Sequence, residues 1–206
     1  MTEPMQVGPV VLAGTHVRLE PLSLAHHADL CQVGLDEDLL RWTESYVPTP
    51  DGLRIYIETA LHLQAEGSVL PFAVISKAAG RPVGSTRYGN IDTTHHRVEI
   101  GWTWYGREWQ RTAVNTESKY LLLRHAFETL ACIRVEFKTD VLNERSRKAL
   151  LRIGAKEEGV FRKHMLMRSG CVRDTVYFSI TDDEWPEVKV GLEGMLARRS
   201  AARNRS

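Results

Sequence analysis

A strand that runs through a short polar loop into a helix dominates the middle of this 206-residue chain. The segment Arg97–Trp104 alternates in the manner of a half-buried strand. The polar stretch Glu108–Asn115 follows it, and a helix is predicted from Thr116 to Leu130. The first N–H groups of a helix have no partner inside the helix and lie at its positive end, so this junction is an anion site. Arg111 adds a full positive charge, and the junction therefore predicts a phosphorylated cofactor.

The rest of the pattern alternates between strands and helices. Apolar periodicity, Pro and Gly breaks and N-cap residues give the order β, α, α, β, β, β, α, β, α, β, β, α. Strands are predicted at 15–21, 71–76, 83–91, 97–104, 133–138, 157–167 and 172–180; helices are predicted at 23–33, 51–65, 116–130, 144–153 and from about 182. We predict an α/β (α+β) fold in which helices flank a mixed central sheet of about seven strands.

One domain accounts for a chain of this length. We expect a flexible leader at residues 1–9, the domain at 10–195 and a basic, disordered tail at 196–206. Hydrophobic residues make up 43% of the chain, which is enough for a core without disulfides or metal. With 27 basic against 26 acidic residues, the net charge gives no indication of nucleic-acid binding.

The sequence lacks the motifs of several other functional classes. Three widely spaced cysteines form no Cys-x-x-Cys pair, which favours the cytoplasm over an oxidising compartment. No signal peptide and no membrane-spanning segment are predicted. The eight histidines form no metal-binding pattern, and no Ser or Cys nucleophile elbow is present, so direct transfer is favoured over a covalent intermediate.

Four motifs, in this order and spacing, resemble the GNAT superfamily of N-acetyltransferases, and most closely its ribosomal-protein N-terminal acetyltransferase-like branch. The motifs are Glu99–Trp102, Trp109–Lys119, Asn143–Ser146 before Gly154-Ala155, and Arg173–Thr175 with Glu184–Pro186. The resemblance covers about Leu12 to Leu192. It implies a mostly antiparallel sheet, acetyl-CoA (coenzyme A) as cofactor, and transfer of the acetyl group to a primary amine of a small molecule or a peptide N-terminus.

The resemblance also implies the cofactor contacts. The family's pyrophosphate loop matches Gln110, Arg111, Thr112, Ala113, Val114 and Asn115. Two positions depart from the family pattern: Ala113 stands where the family has glycine, and Asn115 where it has glycine or alanine. The pantetheine arm would lie along Trp102, Thr103 and Trp104, with Asn143 bonded to it and Ser146 near the thiol. Arg147 would neutralise the cofactor's phosphates or lie on a solvated helix face. Asn143 is also explained as an ordinary N-cap, and Trp102 and Trp104 as core residues.

Glu99 is the candidate general base, because a carboxylate on a central strand is poorly solvated and its pKa is raised. On a regular strand it shares a face with Gly101 and Thr103, opposite Ile100, Trp102 and Trp104. A structural carboxylate paired with Arg97, Arg87 or the backbone is the alternative. The resemblance assigns protonation of the leaving thiolate to Ser146.

The acceptor side is the least determined part of the sequence. Trp42 and Tyr46 would flank an incoming amine or fill the core. Asp174 shares a face with apolar residues of its strand, so it is either paired with Arg162 or His164 or contacts the substrate.

Two further functions compete with catalysis: a non-catalytic acyl-CoA-binding or regulatory module on the same fold, and a nucleotide- or anion-binding domain. By analogy, a homodimer is expected.

Overall fold

The computed structural model describes residues 5–40, 42, 48–167 and 170–203, which form one sheet with helices on both faces. The strands are β1 (Leu12–Ala13), β2 (Val17–Pro21), β3 (Leu70–Ser76), β4 (Arg81–Asp92), β5 (Arg97–Tyr105), β6 (Arg134–Asp140), β7 (Lys156–Leu166) and β8 (Val172–Thr181). The helices are α1 (His27–Gly34), α2 (Glu37–Leu40), α3 (Pro50–Ala65), α4 (Ala113–Glu128), α5 (Glu144–Arg152) and α6 (Trp185–Arg203). Across the sheet the order is β1-β2-β3-β4-β5-β6-β8-β7.

This architecture confirms the predicted fold class. Two short elements were not predicted: β1, which has two residues, and α2, which has four. Elements this short show no hydrophobic period, and they form only because neighbouring chain segments hold them. β1 brings the sheet within the described residues to eight strands rather than about seven.

Only one pair of adjacent strands in this sheet is parallel, and its pairing is short. β5 and β6 pair only from Arg97–Glu99 to Arg134–Glu136, whereas every other adjacent pair is antiparallel. Beyond Glu99 and Glu136 the ladder ends, so the backbone groups of both strands that face this gap do not bond across it. An opening therefore lies in the middle of the sheet, beside the helix that follows β5.

The two faces of the sheet have separate apolar cores. Leu121, Leu122 and Leu123 of α4 pack on one face, which we call the α4 face. Leu53 and Ile57 of α3 pack with Leu30 of α1 on the other, the α3 face. Each of these side chains is almost fully buried, and burial of one such side chain contributes roughly 1.5–3 kcal/mol.

A β-bulge in β5 changes which face each residue occupies. Trp102 has a φ of 48°, and the register with β4 shifts between the pairs Arg87–Gly101 and Ser85–Trp104. As a result Trp104 lies in the α3-face core, although Val98 and Ile100 lie in the α4-face core. The predicted regular alternation of Ile100, Trp102 and Trp104 on one face is therefore wrong, because the bulge adds one residue to the strand.

The C-terminal helix extends further than the domain predicted from the sequence. α6 runs to Arg203 and so includes most of the segment expected to be a disordered tail. Its first residue, Trp185, is buried against Phe127, with ring centroids 5.5 Å apart, which anchors the helix to α4. The division into leader, domain and tail remains a prediction.

Candidate active site

Helix α4 begins earlier than its sequence pattern indicates. Its first residue is Ala113, and the predicted start at Thr116 is wrong by three residues. Thr112 is the N-cap: its Oγ1 accepts a hydrogen bond from the Val114 N–H at 3.2 Å and donates one to the Trp109 carbonyl at 2.7 Å. A cap of this kind stabilises a helix start by about 1 kcal/mol, and its hydrogen bonding depends on the local backbone, not on hydrophobic period.

The early start of α4 changes the backbone conformation expected at Ala113 and Asn115. Both residues lie in the first helical turn and neither has a positive φ; the left-handed residue is Arg111, with a φ of 61°. An added side chain therefore brings no backbone strain at Ala113 or Asn115. Apart from the Val114 N–H, which Thr112 caps, the first N–H groups of this turn have no partner within the helix, so the anion site expected from the sequence is compatible with the non-glycine residues present.

Gln110 connects the α4 start to the start of α5. Its Nε2 donates to the Tyr105 carbonyl at 3.2 Å, and its Oε1 accepts from Arg145 Nη1 at 2.7 Å. The contact between Gln110 and Arg145 spans the opening between β5 and β6, because each residue follows one of these strands. Arg145 belongs to the Asn143–Ser146 motif, but no role was expected for it.

The three residues expected along the cofactor arm point to different sides. Trp104 is buried in the α3-face core. Thr103 is oriented toward the α4 face, where its Oγ1 hydrogen-bonds Thr86 at 2.8 Å. Trp102 lies half-buried on the α3 face, with its ring over Gly89, where an added Cβ would come within 2.3 Å of the indole. The bulge thus moves Trp102 and Trp104 to the face opposite Ile100, whereas a regular strand would have kept these three residues on one face.

Glu99 is buried on the α3 face, with only 2% of the residue exposed. Its Oε2 accepts a hydrogen bond from Asn90 Nδ2 at 2.6 Å and lies 2.9 Å from Lys138 Nζ. Burial raises the pKa of Glu99 above its ordinary value, and the Lys138 ammonium and Asn90 amide oppose this. In the alternative interpretation Glu99 pairs with Arg97, Arg87 or the backbone; the structure instead pairs it with Lys138, and Arg97 pairs with Asp92 and Glu136.

Gly101 provides space for the other oxygen of this carboxylate. A Cβ at Gly101 would come within 2.8 Å of Glu99 Oε1. No hydrogen bond from the described residues reaches Oε1, so one oxygen is held and the other borders the bulge. The mid-strand glycine therefore has a physical reason at this position.

Lys119 is a buried cation on the opposite face, and no sequence pattern indicated it. It is 6% exposed, and its Nζ donates to Thr103 Oγ1 at 3.0 Å. Burial lowers its pKa to about 7, and the Glu99 carboxylate opposes the shift. No local signal separates this lysine from a solvated helical one, because its burial depends on how α4 packs against β5 and β6.

The start of α5 combines a cap with the residues expected at the cofactor. Asn143 Oδ1 accepts from the Ser146 N–H at 3.1 Å, which confirms the predicted N-cap. Arg147 is occupied by the protein itself, donating to the Val141 carbonyl at 3.2 Å and to Glu157 at 3.1 Å. Ser146 is half-buried in the first turn of the helix.

Of the residues expected at the acceptor, two are described. The Trp42 carbonyl accepts from Arg173 Nη1 at 3.5 Å, and Tyr46 lies outside the described residues. Asp174 Oδ1 accepts from the Lys163 main-chain N–H at 2.6 Å, where β7 has a register shift and Lys163 a φ of 51°. The expected pairing of Asp174 with the Arg162 or His164 side chain is wrong; the carboxylate instead satisfies a donor at the bulge.

A cavity of about 840 Å3 opens on the α3 face beside Asn90 and Tyr177. Its charged lining residues pair among themselves, with Arg97 bound to Glu136 and Arg134 to Glu158. The described residues include no cluster of side chains that would hold a metal ion. None of the helices in that part of the chain has the length and apolar character that crossing a membrane requires.

Comparisons with known proteins agree with this fold and site geometry. The family model described as "Acetyltransferase (GNAT) domain" matches residues 16–156, so the chain belongs to the GNAT acetyltransferases. This confirms the assignment to N-acetyltransferases, the class that moves an acetyl group to an amine.

Individual relatives point the same way. A GCN5-related N-acetyltransferase from Brucella melitensis is 32% identical, covers 94% of this chain and 88% of its own, and superposes with a TM-score of 0.86. The Bacillus subtilis (strain 168) protein named "Putative ribosomal N-acetyltransferase YdaF" is 34% identical over 106 residues, or 52% of this chain and 57% of that protein. The chain thus matches little more than half the length of this curated relative. The ribosomal-protein-S5-alanine acetyltransferase of Vibrio fischeri (19% identity, TM-score 0.68; 85% of this chain, 98% of that one) shares the fold.

Proposed function

We propose that the protein transfers the acetyl group of acetyl-CoA directly to a primary amine, with Glu99 as general base. The observation that carries this proposal is the asymmetric environment of the Glu99 carboxylate. Asn90 and Lys138 hold Oε2, whereas Oε1 borders the bulge over Gly101. Because burial raises its pKa, this carboxylate is a better proton acceptor than a solvated one.

The residues around the opening fit acetyl-CoA. The α4 start offers main-chain N–H groups and the positive charge of Arg111 for a diphosphate, and Thr112, Ala113, Val114 and Asn115 make up that turn. β5 and β6 do not pair with each other beyond Glu99 and Glu136, which leaves backbone groups between them for an amide-bearing arm. Asn143 and Ser146 stand at the start of α5, beyond β6. When bound, the cofactor supplies an activated acetyl group.

The residues would then handle two protons. The acceptor amine must be neutral to attack, and most primary amines are protonated at neutral pH, so Glu99 Oε1 takes a proton from the amine. The amine nitrogen bonds to the acetyl carbon as the carbon–sulfur bond breaks. We propose that the Ser146 hydroxyl donates a proton to the departing thiolate and takes up in its place the second proton that the amine nitrogen loses.

The acceptor is a small-molecule amine or a peptide N-terminus. The YdaF name supports a ribosomal protein as one candidate acceptor. The three cysteines are free, which fits a cytoplasmic protein. Large apolar side chains along the outer strand β7, including Phe161 and Leu166, are exposed and support a homodimer.

Calorimetric titration followed by a transfer assay tests the proposal. Acetyl-CoA should bind with a dissociation constant in the micromolar range, and the Arg111→Ala variant should bind it more weakly. Thr129→Ala, a change at the far end of α4, is the control and should bind as the native protein does. The absence of heat at high micromolar acetyl-CoA would refute the cofactor assignment. Binding without transfer to any amine in a broad panel would instead favour the non-catalytic acyl-CoA-binding module.

A further inference from the structure

Arg87 of β4 is a buried guanidinium on the α3 face, close to Glu99. It pairs across the sheet with Gly101, two residues from Glu99 along β5, a separation of about 7 Å on a strand. The residue is only 3% exposed. Its guanidinium carbon lies 4.7 Å from the Tyr56 ring centroid and 5.1 Å from that of Trp102, so two aromatic rings enclose it.

The hydrogen-bonding edge of Arg87 is unused. Nε and Nη2 are both buried, and neither has a hydrogen-bond partner in the described part of the chain. These two nitrogens form the side of the guanidinium that grips a carboxylate through two parallel hydrogen bonds. The neighbouring Arg97 and Arg134 differ in this respect, since each pairs with a glutamate.

Burial of a cation without a counter-ion raises the free energy of the folded state. Contacts with aromatic rings offset this cost only in part. Among the described residues, no anion pairs with this guanidinium. The diphosphate of the cofactor does not fit this need, because the α4 start and Arg87 belong to opposite faces of the sheet. An anion at Arg87 would lie on the same face as Glu99, the residue that receives the proton of the acceptor amine.

We propose that Arg87 binds a carboxylate of the acceptor, so that the acceptor is a primary amine that carries a carboxylate a few bonds away. This inference rests on the function proposed above. The carboxylate belongs either to a free amino acid or to an acidic side chain at the N-terminus of a peptide, and the chemistry at Arg87 is the same for both.

Matched acceptors test the proposal. Glycine, β-alanine and γ-aminobutyrate are each compared with their amides, and an amidated tripeptide that begins with Glu is compared with one that begins with Gln. We expect at least one acid to be preferred over its amide, and the pair that shows the preference identifies the source. In Arg87→Met, kcat/KM for that acid should fall about thirtyfold or more and for its amide by less than about threefold.

Two further variants separate recognition from a structural role. Arg124→Met removes a comparable guanidinium that lies 5.4 Å over the Tyr120 ring, away from Glu99, and should leave the acid-to-amide ratio unchanged. Arg87→Lys keeps the positive charge but not the two parallel N–H donors, and it should lower the acid-to-amide ratio. Arg87→Met should unfold at the same temperature as the native protein or higher, because it removes an uncompensated charge. A lower unfolding temperature with equal losses on acid and amide would overturn the proposal.

A binding measurement keeps this inference separate from catalysis. In the presence of coenzyme A, the preferred acid should raise the unfolding temperature of the native protein, whereas its amide and the Arg87→Met variant should show no such effect. That result without acetyl transfer would support the carboxylate site and refute the enzyme. Transfer to acids and amides at equal kcat/KM in both proteins would support the enzyme and overturn the carboxylate site.

Discussion

The two sides of the opening in this sheet are built in different ways. On the α4 side, the groups proposed to hold the cofactor are main-chain N–H groups at a helix start, with Thr112 as cap. On the α3 side, the groups proposed to act on the acceptor are the charged side chains of Glu99 and Arg87. Each contacts residues of other strands or helices, Lys138 for Glu99 and Tyr56 for Arg87. A backbone site tolerates changes of side chain, whereas a site of buried charges depends on each residue. We therefore expect substitutions on the α3 side to change catalysis and those on the α4 side to change stability.

The largest expected effect on this comparison is that of Glu99→Gln. Removal of a general base should lower kcat roughly 10²–10⁴-fold, with the affinity for acetyl-CoA changed by less than about threefold. Steady-state kinetics and calorimetry measure the two quantities. Glu136→Gln is the matched control on the same face, and its kcat should stay within about threefold of the native value. Equal kcat in Glu99→Gln and the native enzyme would remove Glu99 from the mechanism.

The pH profile provides a second readout of Glu99. Its pKa in the folded protein is raised, so kcat/KM should rise with pH through a value above 4.5 and then level off as the carboxylate ionises. This rise of kcat/KM with pH should be missing in Glu99→Gln. An identical acid limb in both proteins would assign the titration to another group.

Glu117 provides the corresponding test on the α4 side. Its buried carboxylate accepts three main-chain hydrogen bonds, from Thr15 at 2.8 Å, His16 at 2.6 Å and Val17 at 2.6 Å. Glu117→Gln cannot satisfy all three donors, so urea denaturation should show a loss of about 2–3 kcal/mol in the free energy of unfolding. At temperatures where the variant is folded, kcat should be close to native. A large loss of kcat with unchanged stability would contradict the proposed contrast.

A smaller effect on catalysis is expected from Gly101→Ala. The added Cβ would lie 2.8 Å from Glu99 Oε1, so the carboxylate must shift, and kcat should fall about tenfold. Gly191→Ala adds a methyl group that has no atom within 4 Å and should leave kcat unchanged. If Gly101→Ala retains native kcat, the position of Oε1 does not matter for the reaction.

A change in the pH dependence of stability, rather than in catalysis, is expected from Lys119. Its pKa is about 7 in the folded protein, against 10.5 for an ordinary solvated lysine, so between these values the unfolded state binds more protons. The free energy of unfolding therefore gains a contribution that increases from about pH 7 to pH 10.5. Urea denaturation across this range should show a shallower increase in Lys119→Met than in the native protein. Parallel curves would show that Lys119 is charged in the folded state.

Sequence patterns with a local cause were read correctly. The helix of α5 and its Asn143 cap depend on residues within a few positions of one another. The polar cap at Thr112 was also local, but the strong apolar period begins only later, and the α4 start was placed too late. The long-range partners of Glu99 were not predictable, because Asn90 lies nine residues away on β4 and Lys138 lies on β6.

The sequence by itself determined the family, the order of the longer elements and the presence of a helix start after β5, because periodicity, caps and motif spacing are properties of neighbouring residues. Only the tertiary structure decided the bulge at Trp102 and the position of Arg87 between Tyr56 and Trp102, with two of its nitrogens unbonded in the described residues. It also decided that partners hold only one oxygen of the Glu99 carboxylate. These features arise from the register between β4 and β5 and from the packing of α3 on the sheet, and such contacts join residues that are distant along the chain.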